Sequence, residues 1–370
     1  MKKICFITGT RAEYGLLSRL MRMVADDEGC RLQIIATNMH LLEEYGETYR
    51  EIETDGFAID AKVAMRKPSD DAAGVVESMA QEMAGMNEAI CRLKPDLAVI
   101  LGDRYEMLVA ATVCLMHRVP IAHLHGGETT EGALDDSIRH SITQMSSLHF
   151  ASTEEYRRRI IAMGKPAETV WNVGAIGIDN IRRIPLMDKA ELESDLGMEL
   201  HKPLLLATYH PATLGSRTPR EEIDDFLAAL DTQPEAQVIF TLPNSDEGGD
   251  EIRDAIVAFC RSRERCSWRA SLGMRRYLSL MHQASAVIGN SSSGLIEAPS
   301  AHIPTLNVGP RQSGRARGAS VVDCASDRAS VAAGLSRVLS AEQQRIAAVS
   351  PNPYEQPDTA AQIFNIIRNS

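Results

Sequence analysis

The chain reads as an α/β protein made of two Rossmann-like, doubly wound domains. Three observations predict this. Short apolar runs alternate with longer amphipathic stretches along the whole length, the mark of βαβ units and parallel sheets. The alternation starts afresh near Lys202, after a charged bridge over residues 180–200 that contains Pro185. The length of 370 residues also favours two cores over one. Two such domains leave an interdomain cleft, and ligands of doubly wound sheets bind at the carboxyl ends of the strands.

In the first half, strands are expected over 3–8, 32–36, 97–101, 121–124, 148–151 and 170–173, with helices over 16–25 and 71–93 between them. In the second half, strands are expected over 203–208, 237–241, 286–288 and 305–308. Helices there fall over 221–231, 250–260, 274–283 and 330–339. The bridge sets the division at 1–178 and 179–354.

Composition narrows the function classes. The net charge of −11 argues against a broad nucleic-acid-binding face, although a local cluster of Arg and His can still hold an anion. Seven cysteines lie at 5, 30, 91, 114, 260, 266 and 324, with no CxxC pair and mostly in apolar runs. Reduced, buried thiols and cytoplasmic residence fit that usage, and zinc does not. No run approaches the ~20 apolar residues of a membrane span. The first strand follows the initial lysines where a secretory signal would need an apolar stretch and a cleavage site. GxGxxG, GxxxxGK[ST] and HExxH are all missing, so no dinucleotide, ATP or metal cofactor is expected.

Polar clusters directly follow the strands. Gly9-Thr10-Arg11-Ala12-Glu13-Tyr14-Gly15 follows the first, with Arg11 placed in a tight turn. Gly102-Asp103-Arg104-Tyr105-Glu106 and His123-Leu124-His125-Gly126-Gly127-Glu128 end later ones. Asp135-Asp136-Ser137-Ile138-Arg139-His140 opens a helix, where one aspartate suits an N-cap. In the second half the clusters are Tyr209-His210-Pro211, Gly289-Asn290-Ser291-Ser292-Ser293-Gly294 and Gly309-Pro310-Arg311-Gln312. Hydroxyls and free N–H groups at a helix start suit a diphosphate, with Arg11, His210 and Arg311, and also Arg315 and Arg317, as candidate cations. Glu297, more than one turn into the helix after the serines, suits the hydroxyls of a ribose. Asp103, His125, Glu128 and Asp135 form the acid/base set.

In this order the clusters resemble the UDP-N-acetylglucosamine 2-epimerase family, and most closely its hydrolysing branch in bacterial sialic and legionaminic acid synthesis. The likeness runs from residue 3 to about 355 and includes Ser152-Thr153-Glu154-Glu155-Tyr156. It implies a glycosyltransferase-B-type fold whose last helix, 355–370, returns to the first domain. It implies a cytoplasmic homo-oligomer, dimer or tetramer, that takes a UDP-sugar and needs no cofactor. UDP is eliminated across C1 and C2, and water then adds to the glycal with inversion at C2. The resemblance assigns catalysis to Asp103, His125, Glu128, Asp135 and His210. UDP binding goes to Arg11, His210, Asn244, Asn290, Ser291, Ser292, Ser293, Gly294, Glu297 and Arg311. Two positions depart from the family's habit: His125 stands where relatives often carry Glu, and Leu16 where many carry Lys. The alternatives on the same scaffold are a non-hydrolysing epimerase and a glycosyltransferase; a sensor that has lost its chemistry would lack the carboxylates present here.

Overall fold

The structure, a computed structural model, describes residues 1–66, 71–130, 134–211, 217–243 and 248–370. The chain divides into two units. Unit 1 comprises Met1–Glu128, Leu134–Asp179 and Tyr354–Ser370; unit 2 comprises Thr129–Ala133 and Asn180–Pro353.

Unit 1 contains a parallel sheet of β1 (Lys2–Thr8), β2 (Cys30–Thr37), β3 (Ala61–Val63), β4 (Leu97–Leu101), β5 (Ile121–Leu124), β6 (Leu148–Ala151) and β7 (Val170–Asn172). Its spatial order is β3-β2-β1-β4-β5-β6-β7. Helices cover both faces, so the strands are buried on two sides and alternate between two cores. From β1, Ile4 and Phe6 pack with Leu17, Leu20 and Phe150, while Cys5 and Ile7 pack with Ile90, Ile100 and Ile142. Fully burying one such side chain contributes ~1.5–3 kcal/mol. The C-terminal helix Thr359–Asn369 sends Ile363 and Ile367 into the first of these cores. Asp179 secures its start, accepting N–H bonds from Thr359 at 3.2 Å and Ala360 at 2.7 Å and pairing with Arg19 at 2.7 Å.

Unit 2 repeats the plan with β8 (Leu204–Thr208), β9 (Gln237–Thr241), β10 (Cys266–Arg269), β11 (Ala286–Gly289), β12 (Thr305–Val308) and β13 (Val321–Cys324). The order is β10-β9-β8-β11-β12-β13, again all parallel. In each unit the strand order reverses at one pair, β1/β4 and β8/β11, and that reversal opens a crevice at the strand ends.

Three strands, β3, β10 and β13, go unmarked by the sequence, and all three are sheet edges. An edge strand is partly solvated and need not be an apolar run, as Cys266-Ser267-Trp268-Arg269 illustrates. The first helix starts earlier than its apolar period, at Arg11. Thr10 caps it, and Glu13 returns the bond in a capping box. Among the described residues no helix is long and apolar enough to cross a membrane.

Candidate functional site

The unit 1 reversal is flanked by the turns after β1 and β4. Arg11 is not in the first turn itself but opens the helix Arg11–Ala25, where it pairs with Glu51 at 2.8 Å. Gly9 lies so close to Glu106 that a Cβ on it would sit 2.7 Å from Oε1. After β4, Asp103 is paired with Arg139, and Arg104 Nε donates to Glu106 Oε1 at 2.6 Å.

Arg139 organises the neighbouring groups. Its side chain is fully buried, and besides Asp103 it donates to the Glu128 carbonyl at 2.9 Å and to Asp136 Oδ1 at 2.8 Å. Charge-assisted bonds of this kind make a buried guanidinium tolerable and fix the carboxylates around it. The sequence marks Arg139 only by its place three residues after Asp136 on one helix face. Leu134, not an aspartate, is the N-cap of the helix Asp135–Met145. Asp135 stands in the first turn, half-buried.

β5 delivers the histidines. His123 Nε2 donates to the Gly102 carbonyl at 2.8 Å, and burial holds the ring down at about 4, hence neutral. His125 sits in the left-handed region at φ 64°, a conformation that costs ~1–3 kcal/mol in a residue with a Cβ. Its Nε2 accepts the Ile176 N–H at 3.3 Å, so the ring proton is on Nδ1, which lies 3.1 Å from Glu128 Oε1. Ser152 Oγ donates to the same oxygen at 2.6 Å. Glu128 is buried and oriented by two donors, and both ring nitrogens of His125 are engaged.

In unit 2, β8 and β11 flank the reversal. Gly289 has φ 120°, and a Cβ there would stand 2.0 Å from the Thr208 carbonyl oxygen, so only glycine fits. Asn290 follows. Its Oδ1 accepts the His210 N–H and its Nδ2 donates to the His210 carbonyl, both at 2.7 Å. Its side-chain amide is thus engaged with the neighbouring turn. The Asn290 carbonyl in turn accepts from Gln312 Nε2 at 2.8 Å and Arg311 at 3.2 Å. His210, Asn290 and Arg311 are thereby brought together.

Ser291, Ser292 and Ser293 are half-buried beside them, and Tyr277 donates to Ser293 Oγ at 2.8 Å. Gly294 fits against Thr305, whose hydroxyl donates to its carbonyl at 2.7 Å. The helix here is a single turn, Ser293–Ile296, followed by a tighter turn over Ala298–Ala301 that contains Pro299. Glu297 therefore closes that one turn and does not lie along a longer helix. So few peptide dipoles add little field, and hydroxyls with individual N–H groups are what remain for an anion. Arg317 is occupied by Asp323 and the Gln312 carbonyl. Asn244 lies outside the described residues.

Two parallel α/β units of this order define the glycosyltransferase-B fold class. Within it, the family pattern described as UDP-N-acetylglucosamine 2-epimerase matches residues 22–368, and the chain belongs to that family. It is 44% identical over 323 residues to GDP/UDP-N,N'-diacetylbacillosamine 2-epimerase (hydrolyzing) of Campylobacter jejuni, covering 87% of this chain and 84% of that one. It is 36% identical to polysialic acid biosynthesis protein P7 of Escherichia coli, covering 100% of this chain and 94% of that one. The crystal structure of UDP-GlcNAc 2-epimerase from Neisseria meningitidis bound to UDP-GlcNAc shares the fold, with a TM-score of 0.84 at 15% identity and 100% of both chains covered.

Proposed function

We propose that the chain is a hydrolysing 2-epimerase that converts a UDP-linked 2-acetamido sugar to UDP and the free 2-epimer. The observation that carries this reading is the buried Glu128, oriented by Ser152 and His125 at the end of β5. Removing the C2 hydrogen, which no carbonyl activates, demands such a fixed base.

In the first step Glu128 takes the C2 proton, the C2–H electron pair forms the C1–C2 double bond, and the C1–O bond breaks with its pair left on UDP. In the second, the C1–C2 π pair takes a proton at C2 from the opposite face, the water oxygen bonds to C1 and releases its extra proton to a neighbouring carboxylate, and Glu128 returns its proton to solvent. The sequence of steps is redox-neutral. His125 holds Glu128, since acting as base itself would require Nε2 to release Ile176. Asp103, fixed by Arg139, and Asp135 deliver the proton and orient the water. On unit 2, His210, Arg311, the three serines and Glu297 hold UDP, and charge growing on the departing diphosphate is stabilised there. Asn290 and Gly294 shape this site, and Arg11 is the cation proposed for unit 1.

Likeness to the C. jejuni protein supports a 2,4-diacetamido-6-deoxy sugar as the substrate to try first, and to the E. coli protein a product used in making sialic-type acids. We place the enzyme in the cytoplasm as a homo-oligomer. The test incubates the protein with UDP-GlcNAc and with the UDP- and GDP-linked diacetamido sugars, and identifies products by NMR. Free nucleotide with a free 2-epimer is expected. An intact nucleotide-linked epimer refutes hydrolysis, and dependence on an acceptor indicates a transferase.

A further inference from the structure

Three glutamates that no step above uses lie beneath the turns after β1 and β4. They are Glu13 on the first helix, Glu82 on the helix Ala72–Leu93 and Glu106 on the helix Tyr105–Met116. Their exposures are 8%, 0% and 0%. Glu13 Oε2 accepts the N–H groups of Gly9 at 2.8 Å and Thr10 at 3.2 Å. Glu106 presses on Gly9 from elsewhere, where only the missing Cβ makes room. Two carboxyls therefore grip one turn.

Among the described residues, cations do not balance them. Arg104 is paired with Glu106, and Arg11 with Glu51. Glu82 receives only the Thr37 hydroxyl, at 3.3 Å, and the Oε2 atoms of both Glu82 and Glu106 are buried without a hydrogen-bond partner. His40, bonded to the Thr8 and Thr48 hydroxyls, is held neutral by burial at about 4. Asn38 Nδ2 donates to the Tyr105 hydroxyl at 3.3 Å. Three ionised carboxylates against one guanidinium would leave buried charge uncompensated, which proteins avoid by neutralising the group. Burial, and then the charge of Glu106, push Glu13 up to about 8 against the opposing pull of Arg104 and the two N–H bonds. Burial and Glu106 push Glu82 well above the usual carboxylate range too.

We propose that Glu13 is a positioning residue for the epimerase reaction: in its neutral form it seats the Gly9–Thr10–Arg11 turn against Glu106, and its ionisation unseats the turn and costs turnover. This rests on the function proposed above for its use of Arg11, which that turn leads into, and of Asp103, which precedes Arg104. The neutral acid still accepts the N–H bonds of the turn. The ionised acid faces the Glu106 carboxylate across a site that excludes water.

The test compares Glu13→Gln and Glu13→Ala with the wild type. It reads kcat and KM from about pH 6 to about pH 10, and thermal stability over the same range and down to about pH 4.5. Gln keeps the capping acceptor but cannot ionise. Wild-type kcat is expected to fall about tenfold per pH unit above about 8. Glu13→Gln should carry its plateau at least about one unit higher, and Glu13→Ala should lose rate at every pH. The folded wild type keeps a proton that the unfolded chain releases near 4.5, so its stability should fall from there to about 8, and Glu13→Gln should lack that fall. An unchanged alkaline limb, or parallel stability profiles, overturns the proposal. If Glu13→Gln does not fold, Glu106→Gln decides: it removes the opposing charge, and an alkaline limb it leaves in place overturns the proposal equally. Failure to turn over any nucleotide sugar overturns the function proposed above. The stability profiles need no substrate and still decide whether Glu13 holds its proton.

Discussion

Units 1 and 2 share the order of six strands and the place of the reversal, unit 1 adding β7 at one edge, but they fill that place with different chemistry. At the unit 1 strand ends stand carboxyls and imidazoles, several deeply buried: Glu13, Asp103, Glu106, His123, His125 and Glu128. At the unit 2 ends stand hydroxyls, an amide and a guanidinium: Thr208, Asn290, Ser291 to Ser293 and Arg311, with His210 and Glu297 as titratable exceptions. Topology provides the place in both cases, and side chains decide its use. Buried titratable groups cost stability unless each is paired or neutral. Their concentration in one unit suits the proton transfer proposed for it, whereas the diphosphate proposed for the other needs only fixed donors.

The hardest blow to this comparison would come through Glu128. Glu128→Gln keeps the shape and an acceptor for Ser152 while removing the proposed base. Turnover should fall by ~10²–10⁴ with UDP affinity little changed. Steady-state rates beside calorimetric UDP binding check this, and a mutant that loses affinity instead would break the division of labour. Next in size is Gly289→Ala. The added methyl meets the Thr208 carbonyl at 2.0 Å in a backbone conformation that Ala resists. A loss of ~2–4 kcal/mol in urea unfolding is expected, in the unit 2 transition if the two units melt apart.

A finer distinction comes from Glu297→Ala, which should weaken UDP binding by ~1–3 kcal/mol and leave the glycal chemistry alone. Unchanged affinity in the folded mutant would make Glu297 a solvated residue and shift the nucleotide role to the serines. The smallest effect is expected from Tyr277→Phe, which removes the donor to Ser293. A change of ~0.5–1.5 kcal/mol in stability or UDP affinity would sharpen the picture of unit 2 as a rigid donor surface. A drop in turnover alone would contradict it.

Much of the fold is legible without coordinates because central parallel strands are buried on both faces and must be apolar. β4, β5, β6, β9 and β12 have the ends their apolar runs predict. The edges β3, β10 and β13 escape notice because only part of each is buried. In the candidate site, the clusters after the strands are visible as motifs, but their internal division is not. Arg139 looks like any helical arginine until Asp103, Asp136 and the Glu128 carbonyl are brought around it. Glu13 is only one residue of a turn motif in the sequence; its capping of the first helix appears in the structure, and the pressure on the same turn comes from Glu106, 93 positions away (Glu106 minus Glu13).

The sequence by itself determined two doubly wound units, membership of an epimerase family and a set of polar turns at the strand ends, because periodicity and local motifs record burial and turn chemistry residue by residue. Tertiary structure alone decided which nitrogen of His125 carries the proton, that Asn290 binds the main chain of His210, that Glu297 closes a single turn, and that three carboxyls share one buried space. Those outcomes depend on atoms brought together from distant parts of the chain, and on the cost of charge in a place from which water has been removed.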